Sequence, residues 1–569
     1  MKAVATRQAE FSEAPRESAA AADAILGANP FVGLETHQIL GTLSNFASEV
    51  LKNPETLGRQ IVSAAIEFAK IAAGVSEVKP EDNDKRFADP TWADNPFYHR
   101  LMQTYLAWRS TMQAMVPTGS DGDWKQTEQQ RFAIRLLTEA LAPTNLLVGN
   151  PAALKRAFET GGASLVRGWR NFLDDLWNNN GMPQQVDKRP FAVGRNIGVT
   201  PGAVVYRSEL IELLQYAPTT KQVYERPLLL VPPQINKFYI MDLAPRRGLT
   251  EYAVSHGVSF FTVSWRNPKP ANRNWGLDDY VGACKEALSV IREITGSRDA
   301  NVLGVCAGGI TSALLLGYLA AAGERLVNAA TLVVTMLDSS TPSMTGMFTT
   351  EEGVAAAVKR SERAGVLDGA DMARIFAWLR PNDLVWNYWI NNYLMGNDPA
   401  PFDILFWNAD STNLPAALHA GFLDLLLRNH LARADSVKIL GAPINLRRVD
   451  CDMFLVGGMT DHICTWRSVF HGAHLFGGRA DFVLNSSGHV QTLVCPPENF
   501  KARYFVNPRL EQSADKWLKE ATERKGSWWD HWLAWLDKRS GEKRDAPVAL
   551  GSERFPPLDP APGRYVVES

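Results

Sequence analysis

From Ala203 onward, short apolar runs rich in β-prone residues alternate with helical stretches, and this alternation limits the fold more than any other feature of the chain. The runs are Ala203 to Tyr206, Pro227 to Val231, Val258 to Ser264, Asn301 to Gly304, Ala330 to Thr335, Met453 to Val456 and Asp481 to Leu484. Runs without polar alternation belong to strands buried on both faces. With helical segments such as Asp278 to Ile294 between them, they predict a mostly parallel, doubly wound α/β sheet. The chain has 569 residues, enough for more than one unit. We expect a mainly helical N-terminal domain over 1–200 and an α/β domain over 201–569. In the former, Leu43, Phe46 and Val50 follow Ile39 at helical spacing, and Leu57, Ile61, Ala65 and Phe68 continue after Pro54. Residues 1 to about 30 read as a mobile leader. Well over a hundred residues separate Thr335 from Met453, too many for a connection, so an inserted cap is expected over about 338–450. Its Trp378, Trp386, Trp389, Phe402, Phe406 and Trp407 suit an acyl-binding roof, an interface or the cap's own core.

One strand-to-helix junction carries chemistry. Asn301-Val-Leu-Gly-Val-Cys306-Ala-Gly-Gly-Ile310 runs from a strand candidate into the helical Thr311 to Ala322, the form of a nucleophile elbow with cysteine in place of serine. Gly304 and Gly308 remove side chains from a tight turn, and the start of a helix favours thiolate over thiol. An α/β-hydrolase fold places its acid and then its histidine on later strand-end loops. Met453 to Val456 leads into Gly457-Gly-Met-Thr-Asp461-His462, and Asp481 to Leu484 into Asn485-Ser-Ser-Gly-His489. The expected catalytic set is therefore Cys306, Asp461 and His489, with Asp338 as the alternative acid and His462 as a supporting residue. The expected oxyanion donors are the backbone N–H of Ala307 and that of Gln234 or Ile235, because Pro232 and Pro233 carry no N–H. Cysteine keeps an acyl group from a thioester donor as a thioester, reactive enough to pass to a hydroxyl.

Composition excludes other classes. A net charge of −2 from 59 basic and 61 acidic residues provides no global field for nucleic acid or an anionic membrane. The five cysteines, Cys284, Cys306, Cys451, Cys464 and Cys495, lack metal-type spacing and fit a reducing compartment. Met1 to Ala20 has no apolar signal core, and Thr311 to Ala322 falls short of the ~20 residues of a membrane span, so no transmembrane segment is expected. Without a zinc pattern, phosphate loop or dinucleotide fingerprint, no cofactor is expected.

Gly304-Val-Cys306-Ala-Gly308-Gly309, Gly457 to His462 and Ser487-Gly-His489 resemble the polyhydroxyalkanoate (PHA) synthases. So do Val231-Pro-Pro-Gln-Ile-Asn-Lys-Phe-Tyr239, Ser264-Trp-Arg-Asn-Pro268, Arg380 to Trp389 and Phe402 to Trp407. The likeness runs from about residue 85 to the C-terminus. It implies polymerisation of (R)-3-hydroxyacyl-CoA into polyester with release of CoA, residence in the cytoplasm on polyester granules, and Cys306, Asp461 and His489 as the catalytic set. In that family the carboxylate is assigned either to orienting the histidine or to activating the 3-hydroxyl. The likeness also makes a homodimer compatible with the chain. Trp275 to Tyr280 and Ser527 to Trp535 look most like the class II, medium-chain subgroup. Ala307 departs from the serine of many relatives. A cysteine-dependent thioesterase or lactone hydrolase of the same fold is the alternative. The face of Trp528, Trp532 and Trp535 would dock on the sheet or touch polymer.

Overall fold

The apolar runs beyond Ala203 become strands of one sheet. The computed structural model describes residues 36–82, 84–116, 124–343, 346–510 and 513–568, so the leader expected over residues 1 to about 30 lies outside the described residues. Two units emerge: one reaches to Asp187 and takes in Ala373–Pro401, and the other comprises Lys188–Met372 and Phe402–Ser569.

The second unit holds the sheet. Among the described residues its strands are β1 (Gly202–Arg207), β2 (Ile211–Tyr216), β3 (Leu228–Val231), β4 (Phe260–Trp265), β5 (Ala300–Val305), β6 (Val327–Val333), β7 (Asp452–Gly458), β8 (Ala480–Asn485), β9 (Arg503–Val506), β10 (Thr522–Lys525) and β11 (Asp559–Pro560). They lie in the order β10-β9-β8-β7-β6-β5-β3-β4-β2-β1-β11. From β8 to β4 every pairing is parallel, and antiparallel strands extend both edges. The parallel centre is apolar and sealed: Leu228 to Val231 and Leu303, Val305, Leu332 and Val333 are all 0% exposed. This is the α/β-hydrolase fold that the elbow predicts.

The tryptophans of the last long helix, Trp528–Asp537, complete that core. Trp528, Trp529, Trp532 and Trp535 are buried. The indole N–H of Trp532 donates to Thr331 Oγ1 on β6 at 3.0 Å, and that of Trp535 donates to Asp481 Oδ2 on β8 at 2.8 Å. Of the two roles open to this face, docking on the sheet is the one seen.

The first unit is helical, with Thr36–Lys52, Pro54–Ala73, Pro96–Ala114, Trp124–Ala140, Pro151–Glu159 and Ala163–Asn178 as its longer elements. Proline at the first position of three of them costs no hydrogen bond there and presets φ. Residues Ala373–Pro401, from the middle of the stretch between β6 and β7, supply this unit with an aromatic cluster. Trp378, Trp386, Trp389 and Tyr393 meet edge to face in succession, and Phe172 lies edge-on to both Trp389 and Tyr393. Gly168 lets this packing close, since a Cβ there would sit 1.8 Å from the Tyr393 carbonyl oxygen.

Candidate active site

β5 ends at Val305, and the chain turns at Cys306 into the helix Ala307–Ala322. Cys306 has φ 50° and ψ −119°, a conformation that costs a side-chain-bearing residue on the order of 1–3 kcal/mol and persists only where surrounding packing imposes it. Three glycines impose it. A Cβ at Gly304 would lie 2.7 Å from the Gly309 Cα, one at Gly308 would lie 2.3 Å from the Val231 carbonyl oxygen, and one at Gly309 would lie 1.9 Å from Thr335 Oγ1. The helix start is thus wedged between the ends of β3 and β6. The Cys306 N–H donates to the Val333 carbonyl at 3.0 Å, and the Cys306 side chain remains partly exposed.

Asp461 follows β7 and His489 follows β8, so both lie on the carboxyl-end side of the parallel strands, where α/β sheets present their sites. The two loops are laced together: the Met459 N–H donates to the Asn485 carbonyl at 2.8 Å and the Thr460 N–H to that of Ser487 at 3.3 Å. Gly458 permits the approach, for a Cβ there would lie 2.8 Å from the Ser487 carbonyl oxygen. Asp461 is buried, and its Oδ2 pairs with His489 Nδ1 at 2.7 Å. Its Oδ1 accepts from the N–H groups of Ile463 (2.8 Å) and Cys464 (3.0 Å), which fixes the carboxylate before it meets the ring. The alternative acid, Asp338, instead accepts from the Ser340 N–H at 2.9 Å and Asn429 Nδ2 at 2.8 Å, a loop-bracing role.

His489 faces Cys306, and each favours the charged form of the other. The Cys306 thiol is held well below its ordinary range, first by a hydrogen bond from the thiol of Cys464 and then, against burial, by the charge and hydrogen bond of His489. Burial works to neutralise His489, but the Asp461 carboxylate and the Cys306 thiolate outweigh it and raise its pKa well above 6.5. Cys464 is displaced upward, because it donates to a thiolate and is itself buried. Sequence reasoning counted Cys464 only among five scattered cysteines. The available signal was its place three residues after the acid, where an aspartate-capped turn folds residue 464 back beside residue 461.

The loop after β3 carries the remaining oxyanion candidates. Thr412 braces it, donating Oγ1 to the Gln234 carbonyl at 2.5 Å and its N–H to the Ile235 carbonyl at 3.0 Å. The Gln234 side chain turns inward to Thr311 Oγ1 at 2.9 Å. Trp407, buried, donates to the Lys237 carbonyl at 2.7 Å. Ala307, as the first helical residue, has an N–H with no carbonyl a turn earlier to meet it. Asp461, Cys464 and His489 have ligand atoms within 4.8 Å of one another.

A thiol poised by an acid–histidine pair on these loops defines the class, enzymes of the α/β-hydrolase fold, and the family model for that fold matches residues 227–494. A second model, the N-terminus of poly-beta-hydroxybutyrate polymerase (PhaC), matches residues 83–253. Over 548 residues the chain is 46% identical to poly(3-hydroxyalkanoate) polymerase 1 of Ectopseudomonas oleovorans, covering 96% of this chain and 98% of the relative. It is 46% identical over 540 residues to polymerase 2 of the same organism, covering 95% and 96%. Over 505 residues it is 39% identical to the polymerase subunit PhaC of Cupriavidus necator, covering 87% and 85%. The chain belongs to the poly(3-hydroxyalkanoate) polymerase family.

Proposed function

We propose that this chain polymerises (R)-3-hydroxyacyl-CoA into polyester with release of CoA, through an acyl thioester on Cys306. The observation that carries the reading is nearly full-length similarity to poly(3-hydroxyalkanoate) polymerases in a chain whose elbow bears a thiol. The Cys306 thiolate attacks the thioester carbonyl of the acyl-CoA. The oxyanion is met by the Ala307 N–H and by that of Gln234 or Ile235, and CoA leaves with the proton of His489. The 3-hydroxyl of the next acyl unit then gives its proton to His489 and attacks the Cys306 thioester, forming the ester and freeing the thiolate. Asp461 holds His489 in register and balances its charge. This reading, supported by likeness to the poly(3-hydroxyalkanoate) polymerases, has the enzyme work in the cytoplasm at the surface of its own polymer, on medium-chain monomers and as a homodimer. Among the described residues no helix is long and apolar enough to cross a membrane.

The test incubates purified chain, and Cys306→Ala, with (R)-3-hydroxyoctanoyl-CoA while free CoA thiol and the acyl product are followed. Ester-linked oligomers with CoA release, abolished in the variant, are expected. Free 3-hydroxyoctanoate would replace the polymerase by a thioesterase, and activity surviving in Cys306→Ala would overturn the thiol mechanism.

A further inference from the structure

The loop after β3 and the segment Asp410 to Asn413, which comes from the long stretch between β6 and β7, lie in the same unit and meet at one side chain. Thr412 is 3% exposed. Its Oγ1 and its N–H take two successive carbonyls, those of Gln234 (2.5 Å) and Ile235 (3.0 Å). These peptide bonds are trans, so each N–H points opposite the carbonyl of its own plane. The Ile235 N–H shares a plane with the Gln234 carbonyl, and the Asn236 N–H shares one with the Ile235 carbonyl. Both N–H groups therefore turn away from Thr412, and successive N–H groups directed to one side form a concavity that receives negative charge. The elbow helix packs on the same loop. A Cβ at Gly308 would lie 2.3 Å from the Val231 carbonyl oxygen and 2.4 Å from that of Pro232, and Gln234 Nε2 donates to Thr311 Oγ1 at 2.9 Å. Thr412 is itself held on both flanks. Asp410 Oδ2 accepts from the Tyr239 hydroxyl at 2.7 Å, while the Asn413 N–H donates to Asn267 Oδ1 at 2.9 Å and its Nδ2 to the Pro268 carbonyl at 3.1 Å.

We propose that Thr412 is a positioning residue for acyl transfer, one that aims the Ile235 N–H at the oxygen of the reacting carbonyl. The inference rests on the reading of Cys306 as the acyl carrier and deepens it. As the Cys306 sulfur bonds to the acyl carbon, the π electron pair of the C=O moves onto oxygen. The Ala307 and Ile235 N–H groups meet that charge, and the pair returns as the bond from carbon to the CoA sulfur breaks. The same two donors serve again when the 3-hydroxyl oxygen attacks the Cys306 thioester. Thr412 touches no reacting atom. Of the two donors open on this loop, Ile235 is the one whose peptide plane Thr412 fixes. A peptide free to rotate would have to reorient while charge develops, whereas one whose carbonyl is already held has its dipole in place beforehand, and stabilisation of an oxyanion comes from that preparation. The side chain that sets the donor belongs to the insertion between β6 and β7, so the insertion takes part in the chemistry through a single hydroxyl.

The experiment compares the purified full chain with Thr412→Val, which removes the hydroxyl, and Thr412→Ser, which keeps it. Cys306 is acylated with p-nitrophenyl octanoate isotope-labelled at the carbonyl carbon, and the infrared band of the thioester carbonyl is recorded before and after unfolding in guanidinium. In parallel, kcat and KM are measured with (R)-3-hydroxyoctanoyl-CoA, and the rate of Cys306 alkylation with iodoacetamide. In the wild type the folded band is expected at lower wavenumber than the unfolded one. Thr412→Val should move it back toward the unfolded position and lower kcat by roughly ten- to a hundredfold, with KM changed by less than about twofold. Alkylation should keep its wild-type rate, since displacement of iodide develops no oxyanion, and Thr412→Ser should restore both band and kcat. A wild-type band at the unfolded position, an unmoved band or kcat in Thr412→Val, an equal loss in alkylation, or a Thr412→Ser as poor as Thr412→Val would overturn the inference. Acylation by the nitrophenyl ester needs no recognition of CoA. A chain with the shifted band but no polymer therefore keeps the inference while the polymerase reading falls, and one that makes polymer with an unshifted band does the reverse; a Cys306 that takes no acyl group overturns both. If Thr412→Val fails to fold, Thr412→Ala carries the same expectations.

Discussion

At the elbow, a cysteine at φ 50° is kept in place by what its neighbours lack. Gly309→Ala drives a methyl group onto Thr335 Oγ1 and should cost about 1–3 kcal/mol. Adding Thr335→Ala should recover part of that loss, a non-additivity that denaturant unfolding of the two single variants and the double variant would reveal. Charge matters equally. The pKa of Cys306 is lowered and that of His489 raised, so the thiolate–imidazolium pair persists between the two values and is lost to protonation below the lower one. Alkylation of Cys306 by iodoacetamide should therefore stay fast from alkaline through neutral pH and fall only in acid. In His489→Gln the fall should move to higher pH, read from the profile of rate against pH. Asp461→Asn keeps an oxygen able to accept from the Ile463 and Cys464 N–H groups but removes the charge beside His489. Acyl transfer should drop by on the order of a hundred- to ten-thousandfold with little change in melting temperature. The trio proposed as catalytic, Cys306, Asp461 and His489, was legible in sequence because glycines and short strand-end loops mark each member. Cys464 was not, because its nearness to Cys306 arises from how Asp461 folds its own loop, and no spacing rule links residue 464 to residue 306.

The same contrast holds for whole elements. The parallel strands β3 to β8 were readable as apolar runs because both faces are buried, and each formed within a few residues of its expected place. β2 was missed although it is fully buried, since Glu212 and Gln215 interrupt its apolar pattern. Glu212, 0% exposed, is one of the groups that tie the C-terminal tail to this sheet edge. Its Oε1 pairs with Arg207 Nε at 2.7 Å, and its Oε2 accepts from the N–H groups of Arg564 and Tyr565, both at 2.9 Å. Glu212→Gln would leave Arg207 short of a charge and point an amide N–H₂ at donors. Arg207 keeps Asp559 as a partner, so the change should cost about 1–3 kcal/mol, with early loss of amide protection at residues 564–566 in hydrogen exchange. β10 was hidden for the opposite reason: Thr522 to Lys525 are all exposed, and a charged strand of this kind blunts a sheet edge without any apolar signature.

On the scale of the whole molecule, the chain enters the first unit, leaves it after Asp187 and returns for Ala373–Pro401. Sequence pattern revealed the excess length between β6 and β7 but not which unit each part of it serves, because aromatic residues signal packing without naming a partner. A chain ending at Met372 lacks Trp378, Trp386, Trp389 and Tyr393, so its helix Ala163–Asn178 should be cleaved readily in limited proteolysis, and a chain ending at Pro401 should resist. That excursion also sets a timetable on the ribosome. At ordinary elongation speeds, roughly 10 to 40 s pass between the emergence of Asp187 and that of Ala373. Throughout that interval the Phe172 face waits uncovered on a tethered nascent chain, and this is when a chaperone has something to hold.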